Sequence, residues 1–398
     1  QQSIAHAEEL QTPLTKKIKK FSHLLLRVIL LLSVVVFAVG LLRGESAAEM
    51  FMVAVALAVG TIPEGLPVAV TIMLALGVSK MAARRAIIRK LVAVETLGST
   101  NVICSDKTGT LTENQMTVQE IYAGGGIYTV TGLGYRPEGE IKQEDKAAVL
   151  KDNLALELCL KAGMLCNDST LKQEEEDRWM IEGDPTEGAL LVAAQKAGYT
   201  AETLEQEHKR VDSIPFESEY QYMATLHAAT THTIFMKGSV EAILERSSHY
   251  QTADGRQQPL DKQAIHSQAD GMAAKGLRVL AFAMAEAPDG TSGIDHSTVD
   301  KDLVFLGLQG MIDPPRKEAV EAVQLCQQAG IDVKMITGDH AVTAATIADQ
   351  IGLKGRRENN KLVAVTGREL QNYDDKELEE IAESTSVFAR VAPDQKLR

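Results

Sequence analysis

The stretch Asn101-Val102-Ile103-Cys104-Ser105-Asp106-Lys107-Thr108-Gly109-Thr110-Leu111-Thr112 decides how this chain is read. Its opening residues are good strand formers, so Asp106 falls at the carboxyl end of a strand. That is where open α/β sheets hold their ligands. Gly109 permits a sharp turn, while Lys107, Thr108 and Thr110 supply a charge and hydroxyls suited to a phosphoryl group. Asp106 can then act as a nucleophile. Asp and Gly are also ordinary turn residues, so these positions alone leave a structural turn and a nucleophile both open.

Downstream, Asp313-Pro314-Pro315-Arg316 reads as a stiff hinge, because its prolines stop a helix from continuing. A helix pattern over 317–329, a stop at Gly330, a strand over 331–336 and a helix to about 351 make a βαβ-like unit. Thr337, Gly338 and Asp339 lie at its strand-to-helix turn. A hydroxyl and backbone amides there can hold phosphoryl oxygens, or can simply cap the helix. Between Thr117 and about Val304 a long mixed region reads as an inserted domain.

Upstream, residues 21–42 are apolar apart from Ser22, His23, Arg27 and Ser33 and are long enough to span a bilayer. A second run, 47–78, has Glu64 as its single charge between Glu49 and Lys80. Basic residues flank the pair at Lys16, Lys17, Lys19 and Lys20 and at Arg84, Arg85, Arg89 and Lys90, which puts both ends in the cytosol. Pro63 and Pro67 surround Glu64 in the run PEGLP and free the carbonyls of Val59 and Pro63 from helical bonding. Oxygen ligands from the backbone and Glu64 suit a hard cation, whereas a proline kink with a neutral Glu is the structural alternative.

DKTGTLT (106–112), with ETLGS (95–99) and PEGLP upstream in the same order, resembles the P-type cation pumps of the calcium and sodium/potassium branch. The resemblance runs over essentially the whole chain. It implies a Rossmann-like, haloacid-dehalogenase-type α/β phosphorylation domain with an inserted α+β nucleotide-binding domain, plus an N-terminal pair of transmembrane helices. The expected boundaries are a cytosolic linker over 1–20, spans over 21–42 and 47–78, phosphorylation domain over 87–114 and 313–398, and nucleotide domain over 115–312.

The resemblance further implies ATP as substrate and Mg²⁺ as cofactor, with Asp106 phosphorylated and Lys107, Thr108, Thr337, Gly338, Asp339 and Lys396 around it. Glu187, Phe216, Lys237, Gly238, Arg278, Asp313 and Arg390 are the implied ATP contacts, Phe216 stacking on adenine. Asp106 and the Thr108 carbonyl are the implied Mg²⁺ donors. The transported cation is expected at Glu64 and the carbonyls of Val59, Gly60 and Ile62. The family often carries Arg and Lys where this chain has Ser218 and Gln221, which puts the ATP contacts there in doubt.

Aspartyl phosphatases usually carry a second Asp two positions after the nucleophile as general acid and base; Thr108 stands there, so an aspartyl phosphate should persist. Ca²⁺ ranks first as the ion, with Na⁺, H⁺, K⁺ or Mn²⁺ pumps as alternatives. A membrane-anchored phosphatase and an idle nucleotide-binding regulator are further readings. Among 398 residues, 45% are apolar and 24% charged, as in folded protein, and the net charge of -13 argues against nucleic-acid binding. Four dispersed cysteines form neither a disulfide framework nor a zinc pattern. The family's actuator motif and the motif supplying a further Mg²⁺ carboxylate are missing, so a piece of a longer protein is expected. Its missing partners would be the actuator domain and later transmembrane helices. The expected location is the plasma membrane, with the lipid bilayer around the spans and the remaining domains in the cytosol.

Overall fold

A computed structural model describes residues 13–60, 65–175 and 178–398. The chain divides after Asn101 into two units. In the first, helix Pro13–Leu42 leads through a turn at Gly44 into helix Ala47–Gly60. The two pack as a hairpin in which the Met50 side chain lies against Gly40. Leu24, Leu31 and Val34 are exposed. Among the described residues one helix is long and apolar enough to cross a membrane, at 16–42.

Within the apolar run 47–78 the described residues form helices Ala47–Gly60 and Gly65–Ala83, on either side of the start of PEGLP. These segments have 14 and 19 residues. Val59 and Gly60 close the described part of the first of these segments. Ile62 and Glu64, named above as cation ligands, lie outside the described residues.

The second unit contains two sheets of opposite character. Strands Val102–Asp106, Asp332–Thr337, Val387–Ala389 and Ala364–Thr366 form, in that order, a four-stranded parallel sheet. Asp106 stands opposite Ile336, and Thr337 opposite Ala389, so the strands end at one level. The sequence-predicted strand over 331–336 and helix to about 351 appear as Asp332–Thr337 and Ala341–Ile351. Gly352 closes that helix at φ 82°, where a glycine carries no steric cost.

Between the first two parallel strands the chain builds an eleven-stranded, mainly antiparallel sheet. Its central strand, Leu303–Ile312, is buried at every position. Helices Leu154–Leu165 and Pro185–Lys196 pack on one face, and Val240–Arg246 and Lys262–Ala273 on the other. Covering both faces removes the in/out alternation of a half-exposed strand. A short turn at Leu150–Asp152 leads into helix Leu154–Leu165, started by Asn153, whose side chain accepts the Leu156 amide.

Candidate functional site: a cleft at the carboxyl edge of the parallel sheet

Asp106 ends its strand with φ −70° and ψ 147°, and the chain then tightens into the Lys107–Leu111 turn. Gly109 takes φ 72° there. The returning hinge clamps this turn from outside. Arg316 donates from its backbone amide to Leu111 O (2.9 Å), from Nε to Thr112 O (2.8 Å) and from Nη2 to Gly109 O (3.4 Å). Glu113 N donates to Pro314 O at 3.0 Å.

Lys107 points inward, 5% exposed. Its Nζ lies 2.6 Å from Asp339 Oδ2 and 3.6 Å from Asp313 Oδ2. Asp313 is buried too, accepting Thr112 Oγ1 at 2.5 Å and the Gln115 amide at 3.1 Å. A buried ammonium between two carboxylates is compensated, and losing it would leave two anions together. Thr337 is buried and its hydroxyl accepts the Asp339 amide at 3.1 Å, which fixes the strand-to-helix turn. Asp106 is exposed, with Lys396 Nζ 3.7 Å from its Oδ2.

A cleft of about 680 Å³ opens between the two sheets of this unit. Lys107, Asp313, Gly338, Asp339, Arg278 and Arg390 line it, joining residues from five separate stretches of the sequence. Arg390 adopts φ 51°, the left-handed region, immediately after strand Val387–Ala389. Arg278 Nη1 also reaches Thr186 Oγ1 at 3.4 Å, at the start of helix Pro185–Lys196.

Glu187, Lys237 and Gly238 form a second group. Asp184 caps the Pro185–Lys196 helix by accepting Thr186 N at 2.7 Å, Pro185 fills the first turn, and Glu187 sits near its positive end. Lys237 Nζ lies 2.6 Å from Glu187 Oε1 and donates to Cys166 O at 2.5 Å. Glu187 Oε2 accepts Asp168 N (3.1 Å) and Ser169 Oγ (3.0 Å). Both charges are therefore used within the protein. Gly238 is required sterically, since a β-carbon would lie 2.5 Å from Gln221 O. Phe216, by contrast, is 59% exposed.

Three contributors escaped the sequence reading as site residues: Arg316, Thr112 and Gln115. Arg316 and Thr112 stood inside recognised motifs; Gln115 carried no signal. Among the described residues no three His, Cys, Asp or Glu side chains cluster as a metal site.

Comparison with known proteins agrees with this architecture. Residues 155–318 match the family model for the P-type ATPase cytoplasmic domain N. Along its full length the chain is 54% identical to cation-transporting ATPase pma1 of Synechocystis sp.. It is 49% identical over 99% of its length to probable cation-transporting ATPase F of Mycobacterium tuberculosis, and 38% identical over 98% to a calcium-transporting ATPase of Bacillus subtilis. The chain belongs to the P-type cation-transporting ATPases. It spans 44% of the length of each of these relatives.

Proposed function

We propose that the complete protein is an ATP-driven cation pump of the plasma membrane that works through a phosphorylated Asp106, with Ca²⁺ as the ion. The cleft carries this reading: it gathers Lys107, Asp339, Arg278 and Arg390 beside a strand that ends in an exposed carboxylate. An Asp106 oxygen attacks the γ-phosphorus of ATP, forming a P–O bond as the bond to the β–γ bridging oxygen breaks and ADP leaves. The Thr337–Asp339 turn presents amides to the transferring oxygens, and Lys107 and Lys396 offset their charge. Phe216 stacks on adenine, while Arg278 and Arg390 face the phosphates.

Asp106 and the Thr108 carbonyl are hard oxygen donors of the kind Mg²⁺ accepts alongside substrate phosphates. When bound, Mg²⁺ shields phosphate charge. Thr108, in place of a second acid, leaves no proton donor or acceptor at that position, favouring a persistent aspartyl phosphate. The phosphorylation domain is of the haloacid-dehalogenase type in this reading. The helices Pro13–Leu42, Ala47–Gly60 and Gly65–Ala83 enter the bilayer, and Val59, Gly60, Ile62 and Glu64 supply cation oxygens. Ca²⁺ is favoured by the calcium-transporting relatives and by the VGTIPEGLP run.

The decisive experiment labels the complete protein with γ-labelled ATP and Mg²⁺ while Ca²⁺, Na⁺, K⁺ and Mn²⁺ are added singly. Acid-stable label that needs Ca²⁺ and disappears in Asp106→Asn is expected. Label that survives this substitution would remove the mechanism, and dependence on another cation would reassign the ion.

A further inference from the structure

The hairpin after Phe216 has no cation to offer a nucleotide. Its residues are Glu217, Ser218, Glu219, Tyr220, Gln221 and Tyr222. Two are acidic, so binding at this end of the site has to rest on how Phe216 is presented.

The hairpin is held from two sides. On one, Gln221 takes φ 59°, an uncommon conformation for a residue with a long side chain. Its carbonyl accepts Ser239 N at 2.9 Å and its side-chain Oε1 accepts Ser239 Oγ at 3.1 Å. On the other, the His296 ring stacks on Tyr220, with centroids 4.1 Å apart and planes 29° apart. The same ring meets Tyr222 Oη through Nδ1 at 2.6 Å. Tyr222 is 1% exposed and packs under Arg246, whose guanidinium lies 4.8 Å from the ring centroid.

His296 comes from a connection with its own anchors, lying between strands Arg278–Ala287 and Leu303–Ile312. Val299 is fully buried, and Ile294 N donates to Asp212 Oδ2 at 2.9 Å. Asp295 Oδ1 accepts Ser297 Oγ at 2.6 Å and Thr298 N at 3.0 Å, closing an Asx-type turn around His296. The loop is thus fixed to the strand that carries Phe216 as well as to the hairpin beyond it, because Asp212 belongs to Lys209–Glu217.

We propose that this connection is a brace for the ATP site, with His296 as a positioning residue. By stacking on Tyr220 and bonding to Tyr222, it fixes the hairpin so that Phe216 offers a preorganised face to adenine. Affinity at this end comes from rigidity instead of charge. The inference rests on the reading that Phe216 stacks on adenine.

The test uses the complete protein. ATP binding is measured by calorimetry with EDTA present, and the ATP dependence of phosphoenzyme formation is measured separately with Mg²⁺. His296→Ala and Tyr220→Ala should each raise the Kd and the half-saturating ATP about three- to tenfold while maximal labelling stays unchanged. The double variant should be no worse than either alone, and His296→Phe, which keeps the stack, should recover part of the loss. An unchanged Kd in His296→Ala, beside a raised one in Phe216→Ala, would overturn the brace alone. Reduced maximal labelling at unchanged Kd would overturn it in favour of a general folding role. An unchanged Kd in Phe216→Ala would remove the adenine reading and the brace together.

Discussion

Lys107 and Lys237 are buried to nearly the same extent, and each holds its ammonium 2.6 Å from a carboxylate. Their surroundings differ in a way that separates chemistry from architecture. Lys237 has one carboxylate, a backbone carbonyl and no place in the cleft wall, and Glu187 is in turn bonded to Asp168 and Ser169. Lys107 has two carboxylates, lines the cleft and directly follows Asp106. The first pair is closed on itself. The second has an excess of negative charge around one cation, at the wall where a phosphoryl group would arrive.

The largest expected effect breaks the second arrangement. Lys107→Met removes the cation from between Asp313 and Asp339 and from beside the transferring group. Phosphoenzyme formation in the complete protein should fall at least about a thousandfold, the scale of losing a transition-state charge contact together with a buried ion-pair partner. Neutralising Asp313 in the same protein should not restore it. Rescue by Asp313→Asn would make Lys107 as purely architectural as Lys237.

For the closed pair the expected result is opposite in kind. Lys237→Met leaves Glu187 without its cation in a partly buried setting and should lower stability by about 2–3 kcal/mol, below the loss for a fully buried pair, read as a fall in thermal midpoint. Lys237→Met combined with Glu187→Gln should regain most of that stability, since no uncompensated charge remains. A double variant as unstable as the single one would mean the two residues are not coupled.

The strands were far more legible than these pairings. Good strand formers ahead of Asp106, Gly330 as a stop and the Thr337-Gly338-Asp339 turn mark the ends of two of the parallel sheet's four strands, because those signals are local; the short strands Ala364–Thr366 and Val387–Ala389 carried none. Asp313 and Thr112 are 201 positions apart, and Glu187 and Lys237 50 apart. No local pattern says that they meet. Glu187, Lys237 and Asp313 are ATP contacts by motif resemblance, and the fold shows what that resemblance does not, a charged partner within the protein for each. The His296 stack was invisible for the same reason, since it depends on where a long connection lies across another hairpin.

His227 sharpens the architectural side through pH. It is 2% exposed on the nucleotide sheet, and burial, the main cause, pulls its pKa down from 6.5 to about 4. Nδ1 faces the His208 carbonyl at 3.0 Å and must donate, leaving Nε2 to accept the Thr225 hydroxyl at 2.9 Å. The folded state therefore favours neutral imidazole. The stability this represents is fully present above about pH 6.5 and is lost as pH falls through about 4, amounting to about 3 kcal/mol. Thermal midpoints from pH 7 to 4 should fall more steeply for the natural protein than for His227→Gln. Parallel curves would remove His227 from the acid response.

The smallest predicted effect concerns Arg316, where hinge and site meet. A single guanidinium reaches Thr112 O and Gly109 O at the same time, and the residue's own amide holds Leu111 O. Arg316→Lys keeps the charge and the backbone bond but cannot reproduce the planar fork, so one carbonyl of the turn after Asp106 should go unheld. A lost hydrogen bond of about 1 kcal/mol corresponds to a labelling rate lower by about five- to tenfold. Since the bonds of Arg316 go to Leu111, Thr112 and Gly109 and to none of the proposed nucleotide contacts Phe216, Arg278 and Arg390, ATP affinity should be unchanged. A shift in ATP affinity with the labelling rate intact would mean that the hinge governs the nucleotide sheet instead of the turn carrying Asp106. In that case the two regions could no longer be treated as separately adjustable.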